Sequence, residues 1–238
     1  MRVVISQPMF FPWVGFFEQI RLCDVYVHYN DVQYSKGGFT NRVQVKAPEG
    51  VRWLTVPLQN LHLGQTIDQV QINNQTNWRK NHFDLLQRCY QAAPYYLDML
   101  AIVDSVYRQE WFLLDDLARA SLQACCQYFH FDYGKEFLHI QELNISGSGS
   151  DRVLRTNLNL GATAYITGHG AKNYLAHELF DASGIRVEYM AYQKTPYPQL
   201  FGDFTPYVSI LDLIANTGQD AINWIHSETV YWKDFLHE

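Results

Sequence analysis

The chain has 238 residues and a formal charge of −6; its 18 basic side chains are scattered, which excludes a groove-sized positive face for nucleic acid. Hydrophobic residues make up 47%, yet no stretch approaches the ~18 apolar residues that a membrane span needs. The apolar start is broken by Gln7, Pro8 and Pro12 and has no small-residue cleavage site, so a cytoplasmic protein without a signal peptide is expected.

A chain of this length buries about 70–75% of its surface and needs no staple. It is read as one α/β domain over residues 1–238, with a helical section at about 77–130. Cys23, Cys89, Cys125 and Cys126 match no zinc spacing, so buried, reduced thiols are expected and no metal site is assigned. Aromatic residues reach 15%. They fill cores by default, but Tyr and Trp also line sites for flat or sugar-like ligands.

Residues 2–6 carry the run Val3-Val4-Ile5 and read as a buried strand that stops at Gln7-Pro8. Pro12 fits the first turn of a helix over 13–23, and 24–29 reads as a second strand. Strand, helix and strand in so short a span predict a right-handed βαβ unit in a parallel sheet. Residues 42–46 and 51–57 flank the turn Ala47-Pro48-Glu49-Gly50 and predict a hairpin. A further strand is expected at 67–72, and helices at 77–91, 95–109 and 113–129. Residues 146–150, Ser-Gly-Ser-Gly-Ser, read as a mobile loop over a site, followed by a helix at 152–160 capped by Asp151. A second βαβ unit is expected from strand 164–167, helix 171–182 and strand 185–192. Short helices are expected at 209–216 and 220–227.

Ligands of open α/β sheets bind beyond the carboxyl ends of the strands. Two strand ends have unusual sequence. After residues 164–167 come Gly168-His169-Gly170-Ala171-Lys172, the elements of an anion cradle: glycines for close backbone approach, a helix start, a lysine. A tight strand-to-helix turn is the bland alternative. After residues 2–6 comes the segment from Gln7 to Gly15. It resembles the start of the nucleotidyltransferases with the H-x-G-H motif, aligned on Trp13-Val14-Gly15-Phe16, where both histidine positions are aromatic. That departure argues against ATP cleavage and for an already activated donor.

Asp31, at the end of the second strand, is the candidate to bind an amine, a ribose hydroxyl or a metal, or to act as base, against the alternative of a turn Asp bonding its own backbone, with Gln33, Lys36 and Arg42 near it in sequence. His82, one helical turn after Trp78, is the second catalytic candidate, against the alternative of a satisfied core histidine. Tyr174 is a candidate to stack on a ring, as is Trp13. Asp212, in an apolar helix, needs a partner if buried, with Arg or Lys the natural one.

In order along almost the whole chain, Gln7-Pro8, Pro12-Trp13, Gly15, Asp24, Asp31-Val32-Gln33, Asn41-Arg42, Trp53-Leu54-Thr55-Val56-Pro57, the Trp78 and His82 pair, Tyr165-Ile166-Thr167-Gly168, Gly170, Tyr174, Tyr197, Gln199, Ser209, Asp212 and Gly218 resemble the WbqC-like family. The chain departs from it at Asn30, where the family often has an acidic residue. The βαβ pattern and the nucleotidyltransferase-like start lead to the expectation of an α/β, Rossmann-like (nucleotidyltransferase-like) fold with a mainly parallel sheet and a helical insertion, and the WbqC-like resemblance implies a place in bacterial O-antigen or other surface-glycan biosynthesis. The expected activity is transfer or ligation of an aminoacyl (glycyl) or acyl group to an amino sugar or nucleotide-sugar, from ATP or an activated acyl donor. The alternative is a nucleotide-sugar-binding protein or complex subunit without turnover.

Overall fold

The structure, a computed structural model, describes residues 1–237. In chain order the elements are β1 (Arg2–Ser6), α1 (Val14–Leu22), β2 (Val25–His28), β3 (Arg42–Ala47), β4 (Gly50–Thr55), β5 (Leu58–Gln59), β6 (Gln71–Ile72), α2 (Trp78–Tyr90), α3 (Tyr96–Tyr107) and α4 (Leu114–Phe129). They continue with β7 (Glu136–His139), α5 (Gly149–Asn159), β8 (Ala164–Thr167), α6 (His177–Ala182), β9 (Arg186–Ala191), α7 (Ile210–Thr217), β10 (Glu228–Tyr231) and α8 (Trp232–His237).

A six-stranded sheet runs in the order β10-β9-β8-β1-β2-β7. Neighbours from β9 to β7 pair in parallel, and β10 closes one edge antiparallel to β9. Strand side chains alternate between two apolar layers. Val4, Tyr26 and Ile166 join a layer with Phe17 and Ile20 of α1, the helices α2, α3, α4 and α7, and Val43 and Val45 of β3. Val3, Val27, Tyr165 and Val187 face the other layer, with Val153 of α5, Phe180 of α6 and Trp232 of α8. The central strands are buried on both faces, which is why they read as continuous apolar runs.

The connections position the site. From β1 the chain crosses through α1 to β2 on one side, and from β8 it crosses through α6 to β9 on the other. Paths thus diverge between β1 and β8. Such a switch point leaves a crevice beyond the carboxyl ends of the strands, where no crossover fills the space.

Several expectations change. The strand expected at 67–72 is a 3-10 turn, Ile67–Gln69, followed by the two-residue β6. Ile67, Val70 and Ile72 are all buried, a spacing that a straight strand does not produce. The helix expected at 171–182 is shorter. A 3-10 turn, His169–Ala171, comes first, and α6 starts only at His177. The backbone amide of Ala176 donates instead to Ser150 Oγ at 2.9 Å, tying this segment to the start of α5. Asp212 is fully buried, but its partners are hydroxyls: Tyr90 and Tyr197 donate to it at 2.7 and 2.8 Å. Lys46 Nζ instead meets Gln199 Oε1 at 3.1 Å. No strand is legible in the sequence at 136–139, yet β7 forms the edge beside β2.

Candidate functional site

A cleft of about 860 Å³ opens at the switch point. Its floor is the carboxyl ends of β1 and β8, with Ser6, Gln7 and Thr167. One wall comes from α1 and the segment before it, the other from α5, on the opposite face of the sheet. The volume suits a ligand of nucleotide or nucleotide-sugar size.

The segment from Gln7 to Trp13 is pinned rather than loose. Phe11 is fully buried at φ 38°, a left-handed conformation costly for a bulky residue. Its amide donates to Ser121 Oγ of α4 at 2.9 Å, and its carbonyl accepts from Ser209 Oγ at 2.8 Å. The amide of Ile210, at the start of α7, donates to Pro12 O at 2.8 Å. This bend delivers Trp13 to the cleft, between Tyr192 and Tyr207 with ring centroids 4.9 and 5.4 Å away. Gly15 lies under the indole: a Cβ there would meet the Trp13 ring at 2.3 Å. Gly15 therefore seats Trp13 and does not itself line the cleft.

Beside Trp13, Gln19 of α1 is only 7% exposed yet lines the cleft. Its Nε2 donates to Tyr192 Oη at 2.6 Å. Burial pushes the Tyr192 hydroxyl up to about 12, so it stays protonated. Gly168 makes room for this pair. A Cβ at 168 would lie 3.0 Å from Tyr192 Oη and 3.1 Å from Gln19 Nε2.

The opposite wall is ionic. Arg152 of α5 donates to both oxygens of Asp31, at 2.8 and 2.6 Å, while its Nε donates to Ile145 O at 2.8 Å. The guanidinium also lies over the Tyr29 ring, 5.2 Å from its centroid. The hydrogen bonds that it donates to Asp31 hold the Arg152 guanidinium above its ordinary range, while burial raises the Tyr29 hydroxyl. Among the described residues lining the cleft, Asp31 and Arg152 are the only charged side chains. The rest is amide, hydroxyl, aromatic, aliphatic and backbone.

Gly147, Ser148 and Gly149 line the cleft where α5 begins. Gly147 and Gly149 have φ of 112° and 56°, which glycine adopts without strain. The Ser148 side chain makes no capping bond. The segment read as a mobile loop is thus the turn that starts α5, and Asp151 sits inside the first helical turn rather than at its cap. An N-terminal turn of this kind offers backbone N–H groups to an anion.

The cleft gathers Gln7, Trp13, Asp31, Gln33, Gly168, Gly170 and Tyr174 from the sequence-expected set; Gly15, already placed under the indole, and four others do not line it. His82 is a core side chain: Nδ1 is 2.9 Å from Tyr107 Oη and Nε2 is 3.1 Å from Thr55 O. Burial lowers its pKa to about 4, against the opposing backbone bond. A neutral imidazole with both nitrogens engaged away from the cleft fits the core alternative, not a base. His169 Nε2 is 2.7 Å from Met190 O, fastening the turn to β9. Lys172 is exposed and its Nζ lies 5.5 Å from the Phe235 ring, so it adds no charge to the cleft. Arg42 stacks on Trp53 at 4.3 Å and donates to Gly37 O, shaping the loop whose Gly38, Phe39 and Thr40 do line the cleft.

Sequence reasoning missed Arg152, Gln19, Tyr29 and Tyr192. The one available signal was for Arg152, which lies just after the glycine-serine turn at a helix start. The others are ordinary core-pattern residues until folding brings them together.

No solved structure matches the chain. It is 31% identical over 227 residues to the uncharacterized protein Rv1507c of Mycobacterium tuberculosis (strain ATCC 25618 / H37Rv), covering 94% of this chain and 97% of that one. Among the described residues no helix is long and apolar enough to cross a membrane. The sequence pattern of the WbqC-like protein family matches residues 7–224, the span that contains both walls of the cleft, and the chain belongs to that family.

Proposed function

We propose that the protein transfers or ligates an aminoacyl (glycyl) or acyl group to the amine of an amino sugar, carried as a nucleotide-sugar, in bacterial surface-glycan biosynthesis. The observation that carries this reading is the cleft of about 860 Å³ at the switch point of a mainly parallel sheet, lined by amides, hydroxyls, aromatics and aliphatic side chains with one paired carboxylate. Uncharged polar groups and rings complement a sugar and a base. A triphosphate would call for an array of cations, and the cleft has one guanidinium, already paired. The composition therefore favours an activated acyl donor over ATP. The N–H groups at the start of α5 are the place for a phosphate oxygen. Asp31 is the carboxylate available to the acceptor amine, and holding donor and acceptor aligned supplies much of the rate. The sheet order and the switch-point cleft support a Rossmann-like assignment.

A second reading, nucleotide-sugar binding without turnover, is favoured by one observation: both oxygens of Asp31 are engaged by Arg152. A thermal-shift panel of nucleotide-sugars, amino sugars and glycine, followed by mass detection of product from thioester and phosphate-activated acyl donors, separates the two. Stabilisation by an amino sugar nucleotide and a product heavier by one acyl group supports the transferase. Stabilisation without product under any donor supports the binder. Silence from the whole panel overturns both.

A further inference from the structure

We propose that Trp13, Gln19 and Tyr192 form a nucleobase-recognition subsite at one end of the cleft, so that the preferred occupant is a base-bearing nucleotide derivative rather than a plain amino sugar. This rests on the reading of the cleft as a nucleotide-sugar site and says which end holds which part.

Gln19 is the central observation. Only 7% of it is exposed, yet it borders the cleft. One of its two amide hydrogens goes to Tyr192 Oη at 2.6 Å. The second, and the carbonyl oxygen, have no partner among the described residues. A buried amide left half-satisfied is destabilising, and its oxygen is not sealed in the interior, so the cleft is where a partner arrives. What remains free on the amide is its carbonyl oxygen, an acceptor, and one N–H donor. That pattern complements the donor-beside-acceptor edge of a nucleobase, the pairing by which glutamine and asparagine side chains read bases.

The surroundings fit a flat ring. Trp13 stands as an aromatic wall next to the amide, its own tilt fixed by Tyr192 and Tyr207 at an interplanar angle of 53° to each. Base-aromatic contact is sequence-tolerant, whereas the amide edge selects. Gly168 keeps the floor open, since any side chain there would meet Gln19 and Tyr192. Among the described residues lining the cleft, none at this end is charged. Asp31 and Arg152 belong to the opposite wall, on α5 and the end of β2, which leaves that side for the phosphate and sugar.

Calorimetric titration of the full chain with UMP, CMP, AMP, GMP and ribose 5-phosphate tests this directly. At least one nucleotide is expected to bind about 10–100-fold tighter than ribose 5-phosphate, the range of one bidentate base contact. Gln19→Met and Tyr192→Phe, each checked by thermal unfolding, are expected to abolish that advantage and leave the affinity for ribose 5-phosphate unchanged. Four nucleotides binding no tighter than ribose 5-phosphate overturn the subsite. So does a loss of ribose 5-phosphate binding in Gln19→Met, which would make Gln19 a sugar contact. Parallel titrations with UDP-glucosamine and glucosamine 1-phosphate keep the two proposals apart. Equal binding of both, with no benefit from the base, sinks the subsite and leaves the amino sugar reading standing; binding of neither sinks both.

Discussion

Replacing Arg152 with methionine keeps much of the side-chain stem and removes the fork that holds Asp31. Truncating one partner of a fully buried pair costs about 3–5 kcal/mol, because the other charge is stranded. Here the Arg152 side chain is 10% exposed and that of Asp31 24%. Water reaches the carboxylate, so its share falls to about 2 kcal/mol. Loss of the Nε–H bond to Ile145 O adds about 1 kcal/mol. A total near 3 kcal/mol lowers the Tm of a chain this long by about 6–12 °C. Urea unfolding of Arg152→Met, Asp31→Asn and the double variant measures the coupling, expected at about 1.5–2 kcal/mol. The double variant should be less damaged than the sum of the singles, since it strands no charge. Coupling below about 0.3 kcal/mol, the limit at which distant sites simply add, refutes the pair as an energetic unit.

Acidification destabilises the protein through its buried imidazoles. His28 is lowered to about 3, by burial first and then by Arg119 and His139, and His82 to about 4 by burial. The unfolded chain protonates both near 6.5 while the fold keeps them neutral, so stability is present above that value and is lost as pH falls toward the folded ones. Between pH 7 and 5 each costs about 2 kcal/mol. His82→Gln should remove roughly half of the combined loss in urea titrations at the two pH values; an unchanged loss contradicts the assignment. Asp212 carries the opposite sign, because burial raises its carboxyl and favours the protonated form in the fold, so comparing variants isolates the histidines. Gly15→Ala drives a Cβ into the Trp13 ring and should cost about 1–3 kcal/mol, with a shift in tryptophan emission as the indole is displaced; unchanged emission argues that the ring is free to move. Gly168→Ala crowds Tyr192 and Gln19 by a few tenths of an ångström, and should weaken nucleotide binding measured by calorimetry while changing the unfolding midpoint little; a large loss of stability with normal binding would assign Gly168 to folding alone.

Some of the fold was legible because local physics determines it. Val3-Val4-Ile5 marks a strand buried on both faces, and the expected strands at 2–6 and 164–167 coincide with β1 and β8. The hairpin of β3 and β4 follows from its proline-glycine turn. The helix expected at 171–182 starts only at His177, because the 3-10 turn His169–Ala171 comes first and a residue distant in sequence, Ser150, takes the Ala176 amide. His82 shows a second limit: histidine on an apolar helix face looks the same in sequence whether it serves a site or, as here, closes bonds to Tyr107 and Thr55.

Sequence by itself determined the strands β1, β2, β8 and β9, the hairpin of β3 and β4, the family and the residues at the ends of β1, β2 and β8, because strand periodicity and turn chemistry act over a few neighbouring positions. Only the tertiary structure decided what meets what. Arg152 lies 121 positions from Asp31, and Gln19 lies 173 from Tyr192. Such pairs exist because two crossovers leave the sheet in opposite directions and open a crevice between β1 and β8, and no local propensity encodes that divergence.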